Sequence, residues 1–150
     1  MCAQAADGLR LSGRKLHVRP GAGASGYIVT ASSPDGLALV WLPAEAVASC
    51  RELQRLADGS FAARLELDNV VLPADHLLAS GERARSVFAA AYDEALVMAG
   101  VELLACARRM LDMSLDYLRT RQQFGKPIGS YQALQHRAVD LLIQRELSSA

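Results

Sequence analysis

The 150-residue sequence has no excess of charge of either sign. Its 16 lysine and arginine residues balance 16 aspartate and glutamate residues, and the basic residues form no cluster. Proteins that mainly bind nucleic acid usually carry a basic patch, and polybasic membrane anchors need a run of lysine or arginine. The charge balance therefore argues against both functions.

Cysteine is scarce, and long apolar segments are absent. The three cysteines, Cys2, Cys50 and Cys106, are far apart, with no Cys-x-x-Cys or Cys/His cluster. The sequence thus predicts no metal site and no disulfide framework, and it favours a reducing, cytoplasmic setting. No apolar run approaches the ~20 residues of a membrane span, and the first residues lack the apolar core of a signal peptide.

The sequence does contain 51% hydrophobic residues, enough for a substantial core. Up to about residue 80 they alternate with polar residues or form short β-branched runs, a pattern typical of strands. Ser12–Gly13 is predicted to interrupt the first strand region, and residues 32–36 (SSPDG) form a turn. Strands are predicted at residues 9–11, 16–18, 27–31, 37–42, 61–68 and 70–72.

From about Arg83 the apolar residues recur every three or four positions, which predicts an amphipathic helix to about Arg119. A glycine- and proline-containing break at 125–129 follows. Ser130 is then the expected N-cap of a second helix from Tyr131. Because no C-cap signal follows, the second helix is expected to continue beyond residue 150, and both ends look like cuts in a longer sequence.

The break between the helices carries the most informative motif, RTRQQFGKPIGSYQALQHR at 119–137. It resembles the acyl-CoA dehydrogenase pattern, in which Arg-x-Gln-Phe-Gly-x-Pro-Ile follows a helix. Two upstream segments resemble the same family in the same order: GLRLSGRKLHV at 8–18 and ARLELDNVVLPADHLLASG at 63–81. The amino-acid sequence of this turn is similar to that of a bacterial subgroup of the family, which includes small subunits of pimeloyl-CoA-type dehydrogenases.

The resemblance implies an α+β fold. An antiparallel β segment, part of a barrel or sandwich, is expected in residues 1–80 as the later part of the family's middle β domain. Residues 81–150 are expected to be the first long helices of an up-and-down four-helix bundle, the start of the C-terminal helical domain. The remaining helices, the family's other flavin loops and its alternative catalytic glutamate are expected outside these 150 residues.

The resemblance also implies an FAD site at the turn. Arg121, Gln122, Gln123 and Phe124 match residues that contact the FAD of a neighbouring subunit. Gln132, with Tyr131 beside it, matches a second cofactor-contacting position. A guanidinium binds a diphosphate in a fork geometry, and the N–H groups at 130–132 are expected to favour an anion.

Other interpretations of these residues are open from spacing alone. Arg121 is also suited to cap its own helix, where a cation is favourable, and Phe124 is also suited to a core. The match of the whole motif favours the cofactor role. Arg121→Ala is expected to reduce flavin retention.

No catalytic residue can be assigned. Glu94 is the nearest acidic residue to the position that supplies a catalytic carboxylate in one branch of the family, but the matching position is Ala95. We therefore favour a solvated helix carboxylate for Glu94. His17, Val18 and Arg19 stand where the family usually has Trp, an apolar residue and Thr or Ser beside the flavin.

The expected function is α,β-dehydrogenation of an acyl-CoA thioester by an FAD-dependent oxidoreductase. Its partners would be an electron-transfer flavoprotein and further subunits, in a homo- or hetero-oligomer built through the helices. The departure at His17–Arg19 keeps an alternative open: a non-catalytic subunit of a heteromeric dehydrogenase that lends cofactor contacts to its partner.

Overall fold

The computed structural model describes residues 2–5 and 8–150, and side chains from residue 8 onward. The chain divides into two compact units, one extending to Ala91 and the other covering Tyr92–Ala150. The predicted domain division at 80/81 stays a prediction. An antiparallel β region followed by long helices confirms the α+β class.

The first unit contains two antiparallel sheets. A four-stranded sheet has the order β1-β2-β6-β5, and a three-stranded sheet has the order β3-β4-β7. The strands are β1 Cys2–Ala5, β2 Gly8–Val18, β3 Gly26–Ser33, β4 Gly36–Pro43, β5 Arg51–Arg55, β6 Phe61–Leu72 and β7 Leu77–Ser80.

Both sheets contribute to one hydrophobic core. The alternation predicted for the strand after Asp58–Gly59 is confirmed, because Ala63, Leu65 and Leu67 are buried, whereas Glu66 and Asp68 are exposed. Burial of such side chains is the main favourable term in folding. The core consists of Leu9, Leu11, Tyr27, Val29, Ala38, Val40, Leu42, Val47, Ala63, Leu65, Leu67 and Leu72.

Two predicted interruptions of strands were wrong. Ser12–Gly13 does not end the first strand, and residues 61–72 form one strand rather than two. Both places lie at a single shift in the β2–β6 register, between Leu11 and Gly13, and a second shift lies between Lys15 and Val18. Asn69 (φ 51°) lies at the first shift and His17 (φ 55°) at the second. The two predicted interruptions are therefore the two sides of one β-bulge between continuous strands.

The predicted long helix is confirmed as α1, Gly81–Thr120, and the second as α2, Gln132–Ser149. Along α1 the predicted apolar stripe is buried at Leu111 and half-buried at Leu104 and Leu115, but Leu96 and Leu103 are exposed. Within the second unit, Arg145 of α2 lies 3.9 Å from Asp112 of α1. Neither described helix is long and apolar enough to cross a membrane.

Candidate functional site

The connection between α1 and α2 starts with an ordered helix end. The Thr120 hydroxyl donates to the Asp116 carbonyl oxygen at 3.0 Å, and the Arg119 guanidinium pairs with the Asp116 carboxylate at 3.0 Å. The Arg121 N–H still donates to the Tyr117 carbonyl at 2.9 Å. Arg121 therefore follows directly on a helix whose last turn is hydrogen-bonded.

A small β-hairpin follows. Strand β8, Gln122–Gln123, pairs with β9, Lys126–Pro127, in the register Gln122↔Pro127 and Gln123↔Lys126. The two residues at its tip, Phe124 and Gly125, have φ values of 54° and 80°. Two-residue hairpins of type I′ need positive φ at both positions, which glycine adopts freely and phenylalanine does not.

Phe124 is thus both strained and exposed. Its side chain is 90% exposed, so it is not part of the core of the described residues. A bulky residue at positive φ is an outlier, and such outliers cluster at binding sites. The hairpin presents this ring outward at a cost in backbone energy.

The base of the hairpin is closed by close backbone contacts. The Ile128 N–H donates to the Arg121 carbonyl at 2.8 Å. Gly129 lies so near the end of α1 that a Cβ there would be 2.8 Å from the Leu118 carbonyl oxygen. The Gln135 amide of α2 donates to the Gly129 carbonyl at 2.9 Å. Both helices therefore hold the base of the hairpin.

Tyr131 contacts the hairpin from the α2 side. Its hydroxyl donates to the Gln123 carbonyl at 3.4 Å. Its ring meets that of Phe124 edge-on, with centroids 6.4 Å apart at 90°. The Lys126 ammonium lies over the same ring, 4.3 Å from its centroid. These three contacts link the side chain of Tyr131 to both strands and the tip.

The expected cap of α2 was wrong. Ser130 belongs to a short 3₁₀ turn, Ile128–Ser130, and its hydroxyl donates to the Pro127 carbonyl at 2.8 Å instead of capping the helix. Tyr131 is the N-cap residue, and its N–H already donates to the Ile128 carbonyl at 3.2 Å. The predicted set of N–H donors for an anion therefore loses Tyr131.

The predicted cofactor residues lie together in the sequence and partly in space. Arg121, Gln122, Gln123 and Phe124 form one exposed segment, and Gln132 is the exposed first residue of α2. Among residues 8–150, no hydrogen bond or ion pair occupies the Arg121 guanidinium. Lys126, Gly129 and Gln135 were missed by sequence reasoning, because only the folded turn brings them to Tyr131 and the helix ends.

The acidic residues of α1 do not gather around a pocket. Asp93, Glu94 and Glu102 are all exposed. A general base for an α-proton must be desolvated before its pKa rises toward a useful range. The structure therefore supports no catalytic assignment for Glu94.

His17 and Arg19 are exposed, whereas Val18, which follows the second β-bulge, is half-buried. Val18 packs against the core, whereas the exposed Arg19 guanidinium donates to the Asp58 carboxylate at 3.0 Å and to the Ser60 hydroxyl at 3.1 Å. Arg19 is thus tied to the β5–β6 turn.

The contacts of Ser60 are expected to control the ionisation of Asp58. Hydrogen bonds from the Ser60 hydroxyl and backbone N–H, and to a smaller extent the charge of Arg19, hold the pKa of Asp58 below its ordinary 3.8. The stabilisation is therefore present above pH 3.8 and is lost as the pH falls through the lowered pKa. NMR titration of the carboxyl should show that Ser60→Ala raises this pKa more than Arg19→Ala does. A larger effect of Arg19→Ala would contradict the order of causes.

Comparison with known proteins gives related sequences over much of the chain. Residues 86–150 match the family model described as acyl-CoA dehydrogenase, C-terminal domain. A 3-sulfinopropanoyl-CoA desulfinase from Paraburkholderia xenovorans is 31% identical over 127 residues, which are 83% of this chain and 30% of that protein. Acyl-CoA dehydrogenase IpdE2 from Mycobacterium tuberculosis is 43% identical over 51 residues, 34% of this chain and 16% of that protein. The matches thus span less than a third of the length of these relatives.

Solved structures share the fold along nearly the whole chain. A glutaryl-CoA dehydrogenase from Mycobacterium smegmatis in complex with FADH2 has a similar fold, with a TM-score of 0.83 and 24% identity. The match covers 98% of this chain and 39% of the dehydrogenase chain. One chain of the ChsE4–ChsE5 complex from Mycobacterium tuberculosis is matched over 97% of this chain and 39% of that chain, with a TM-score of 0.71 and 26% identity. These likenesses confirm the predicted arrangement of a β region followed by long helices.

Proposed function

We propose that this chain belongs to the acyl-CoA dehydrogenase family, as the match of residues 86–150 and the similarity to the desulfinase support, and that its 150 residues form part of an FAD-dependent enzyme that oxidises an acyl-CoA thioester. The reaction removes a proton from the α carbon and a hydride from the β carbon, which leaves a carbon–carbon double bond between them. FAD, when bound, supplies the acceptor for the hydride. The contribution of this chain is to bind and orient the cofactor at the hairpin between α1 and α2.

The observation that carries the proposal is the exposed ring of Phe124 at a φ of 54°, three residues after Arg121, whose guanidinium has no hydrogen-bond or ion-pair partner among residues 8–150. Arginine pairs with a diphosphate through two parallel hydrogen bonds, and an aromatic ring offers a flat apolar surface to a heterocycle. The residues present therefore fit the two chemical halves of a flavin dinucleotide. Gln122, Gln123 and Gln132 add exposed amides that can donate to its oxygens.

The ring of Phe124 is expected to serve binding at the expense of stability. Because asparagine tolerates positive φ better than phenylalanine, Phe124→Asn should raise the free energy of unfolding by about 1 kcal/mol. It should weaken FAD binding about 10-fold, because one stacking contact is lost. Calorimetric titration of flavin-free protein and chemical denaturation measure the two effects.

Phe124→Tyr is the matched control, because it keeps the ring and should keep the affinity within about 2-fold. If Phe124→Asn binds FAD as tightly as the wild type, the ring does not contact the cofactor. If Phe124→Asn is less stable than the wild type, the positive φ of Phe124 does not cost stability as proposed.

The reaction itself is tested by the absorption spectrum of the purified protein and by reduction of an electron-accepting dye on addition of acyl-CoA. A flavin spectrum with acyl-CoA-dependent dye reduction supports the dehydrogenase. The similarity to a 3-sulfinopropanoyl-CoA desulfinase favours a second candidate, elimination of a substituent from an acyl-CoA. Product release without dye reduction would support that candidate instead.

Partners are proposed from the same family membership. Electrons would pass to an electron-transfer flavoprotein, and the helices would join further subunits in a homo- or hetero-oligomer. The ChsE4–ChsE5 likeness makes a heteromer the arrangement to test first. The alternative of a non-catalytic subunit is less favoured, because the curated relatives bear the names of enzymes. A cytoplasmic location stays a prediction from cysteine usage.

A further inference from the structure

We propose that Tyr131 does not contact the cofactor directly but is a positioning residue, which holds the hairpin and the ring of Phe124 in place with the help of Lys126. This inference rests on the proposed function, because positioning matters only if the hairpin binds FAD. It also reassigns Tyr131, which the sequence motif places among the cofactor contacts.

The first argument is that the side chain of Tyr131 is already engaged within the hairpin. The Lys126 ammonium lies 4.3 Å from the ring centroid, and the Phe124 ring stands perpendicular to it at 6.4 Å. The hydroxyl donates to the Gln123 carbonyl. The ring thus contacts two hairpin side chains, its hydroxyl contacts the hairpin backbone, and Tyr131 is half-buried, which leaves less of its side chain for a flavin.

The second argument is the strain at the hairpin tip. A phenylalanine at a φ of 54° persists only where surrounding contacts hold it, yet its side chain is 90% exposed. The edge-on contact with Tyr131 is a specific contact of the kind that aromatic pairs prefer. Tyr131 thus supplies a support that the exposed ring otherwise lacks.

The third argument is that the base of this support is rigid. Tyr131 is the N-cap residue of α2, and its carbonyl accepts hydrogen bonds from the N–H groups of Leu134 and Gln135 at 3.0 and 3.1 Å. Its own N–H donates to the Ile128 carbonyl. The helix therefore fixes the backbone from which the ring reaches the hairpin.

The support can be observed without flavin, because the chain has only two lysines, Lys15 and Lys126. Reductive methylation with carbon-13 formaldehyde keeps both ammonium groups charged and gives each an NMR signal. The Lys126 signal should be shifted upfield of the Lys15 signal by the Tyr131 ring current. The shift should persist in Tyr131→Phe and vanish in Tyr131→Leu, and Lys126→Arg assigns the signal. An unshifted Lys126 signal in the wild type would overturn the support.

The positioning role is tested by FAD affinity in a double-mutant cycle. Tyr131→Leu should weaken binding about 10-fold and Lys126→Met about 3-fold. Because both residues act through one contact, the double variant should bind FAD about 10-fold more weakly than the wild type, and the two single losses of affinity should not multiply. Tyr131→Phe should stay within about 3-fold, because it keeps the ring. Lys126→Met changes an exposed side chain and keeps the test usable if Tyr131→Leu does not fold.

The outcomes separate this inference from the proposed function. Additive losses, or a loss in Tyr131→Phe as large as in Tyr131→Leu, would show that the ring contacts with Phe124 and Lys126 do not carry the effect and would overturn this positioning role. Unchanged affinity in Tyr131→Leu, with a loss in Arg121→Ala, would overturn positioning and leave the FAD site intact. If neither variant loses affinity, the FAD site at the hairpin is wrong, and the positioning role falls with it.

Discussion

Replacing Arg121 with alanine is expected to weaken FAD binding about 100-fold. Its guanidinium is exposed at the end of α1, and none of the residues 8–150 binds it. It is therefore available for a diphosphate. Two charge-assisted hydrogen bonds to a phosphate account for a loss of this size. Calorimetric titration of flavin-free protein with FAD measures it directly.

Arg119 provides the matched control, because it lies two residues earlier and pairs with Asp116 at 3.0 Å. Arg119→Ala removes the same charge from the same helix end but should change FAD affinity less than 3-fold, since exposed pairs contribute little. Arg121→Lys should lose about 10-fold, because a point charge replaces a fork of donors. Equal affinities of the two alanine variants would show that Arg121 only caps its helix.

Replacing Gly129 with alanine is expected to have the second largest effect. The new Cβ would stand 2.8 Å from the Leu118 carbonyl oxygen and 3.2 Å from its carbon. Because both neighbours are backbone atoms, α1 and the base of the hairpin would have to separate. Overpacking of this kind costs about 2 kcal/mol, and the displaced hairpin should bind FAD about 30-fold more weakly.

Gly100→Ala is the control, since nothing lies within 4 Å of a Cβ at this position in α1. Because alanine has a higher helix propensity than glycine, this variant should have a free energy of unfolding about 1 kcal/mol higher than the wild type. Urea denaturation and FAD titration of both variants give the comparison. A Gly129→Ala protein with wild-type stability would show that the helix end and the turn separate easily.

The helices were predictable because their signal is repeated many times. Apolar residues at intervals of three and four over dozens of positions are compatible only with a helix, and α1 begins within two residues of the predicted Arg83. The start of α2 was predicted one residue too early. A serine before a helix is usually a cap, but the 3₁₀ turn at Ile128–Ser130 directs the Ser130 hydroxyl to Pro127 instead.

The strands that were missed have weak local signals. β5, Arg51–Arg55, alternates little and is mostly exposed, so its pairing with β6 decides its conformation. β7, Leu77–Ser80, is only four residues long. β7 depends on β4, which lies far upstream in the sequence, whereas β5 pairs with the strand that directly follows it. In both cases contacts with the partner strand decide the conformation more than local propensity does.

The candidate site was predictable as a motif and not as a shape. The sequence motif pointed to Arg121 and Phe124, but it could not show that Phe124 adopts positive φ or that Lys126 lies over the ring of Tyr131. Those relations arise from hairpin closure and from the approach of Gly129 to α1. The assignment of FAD to these residues stays a prediction until the variants above are measured.

The two bulges in the β2–β6 ladder compensate for each other, because each places one extra residue in a different strand. Between Leu11 and Gly13 the extra residue lies in β6, near Asn69, whereas between Lys15 and Val18 it lies in β2, near His17. The pairing register is therefore displaced by one residue between the two bulges, and at Val18↔Ala63 it is the same as at Leu9↔Leu72. Loss of either extra residue alone would leave the strands out of phase beyond it, whereas loss of both would restore the pairing.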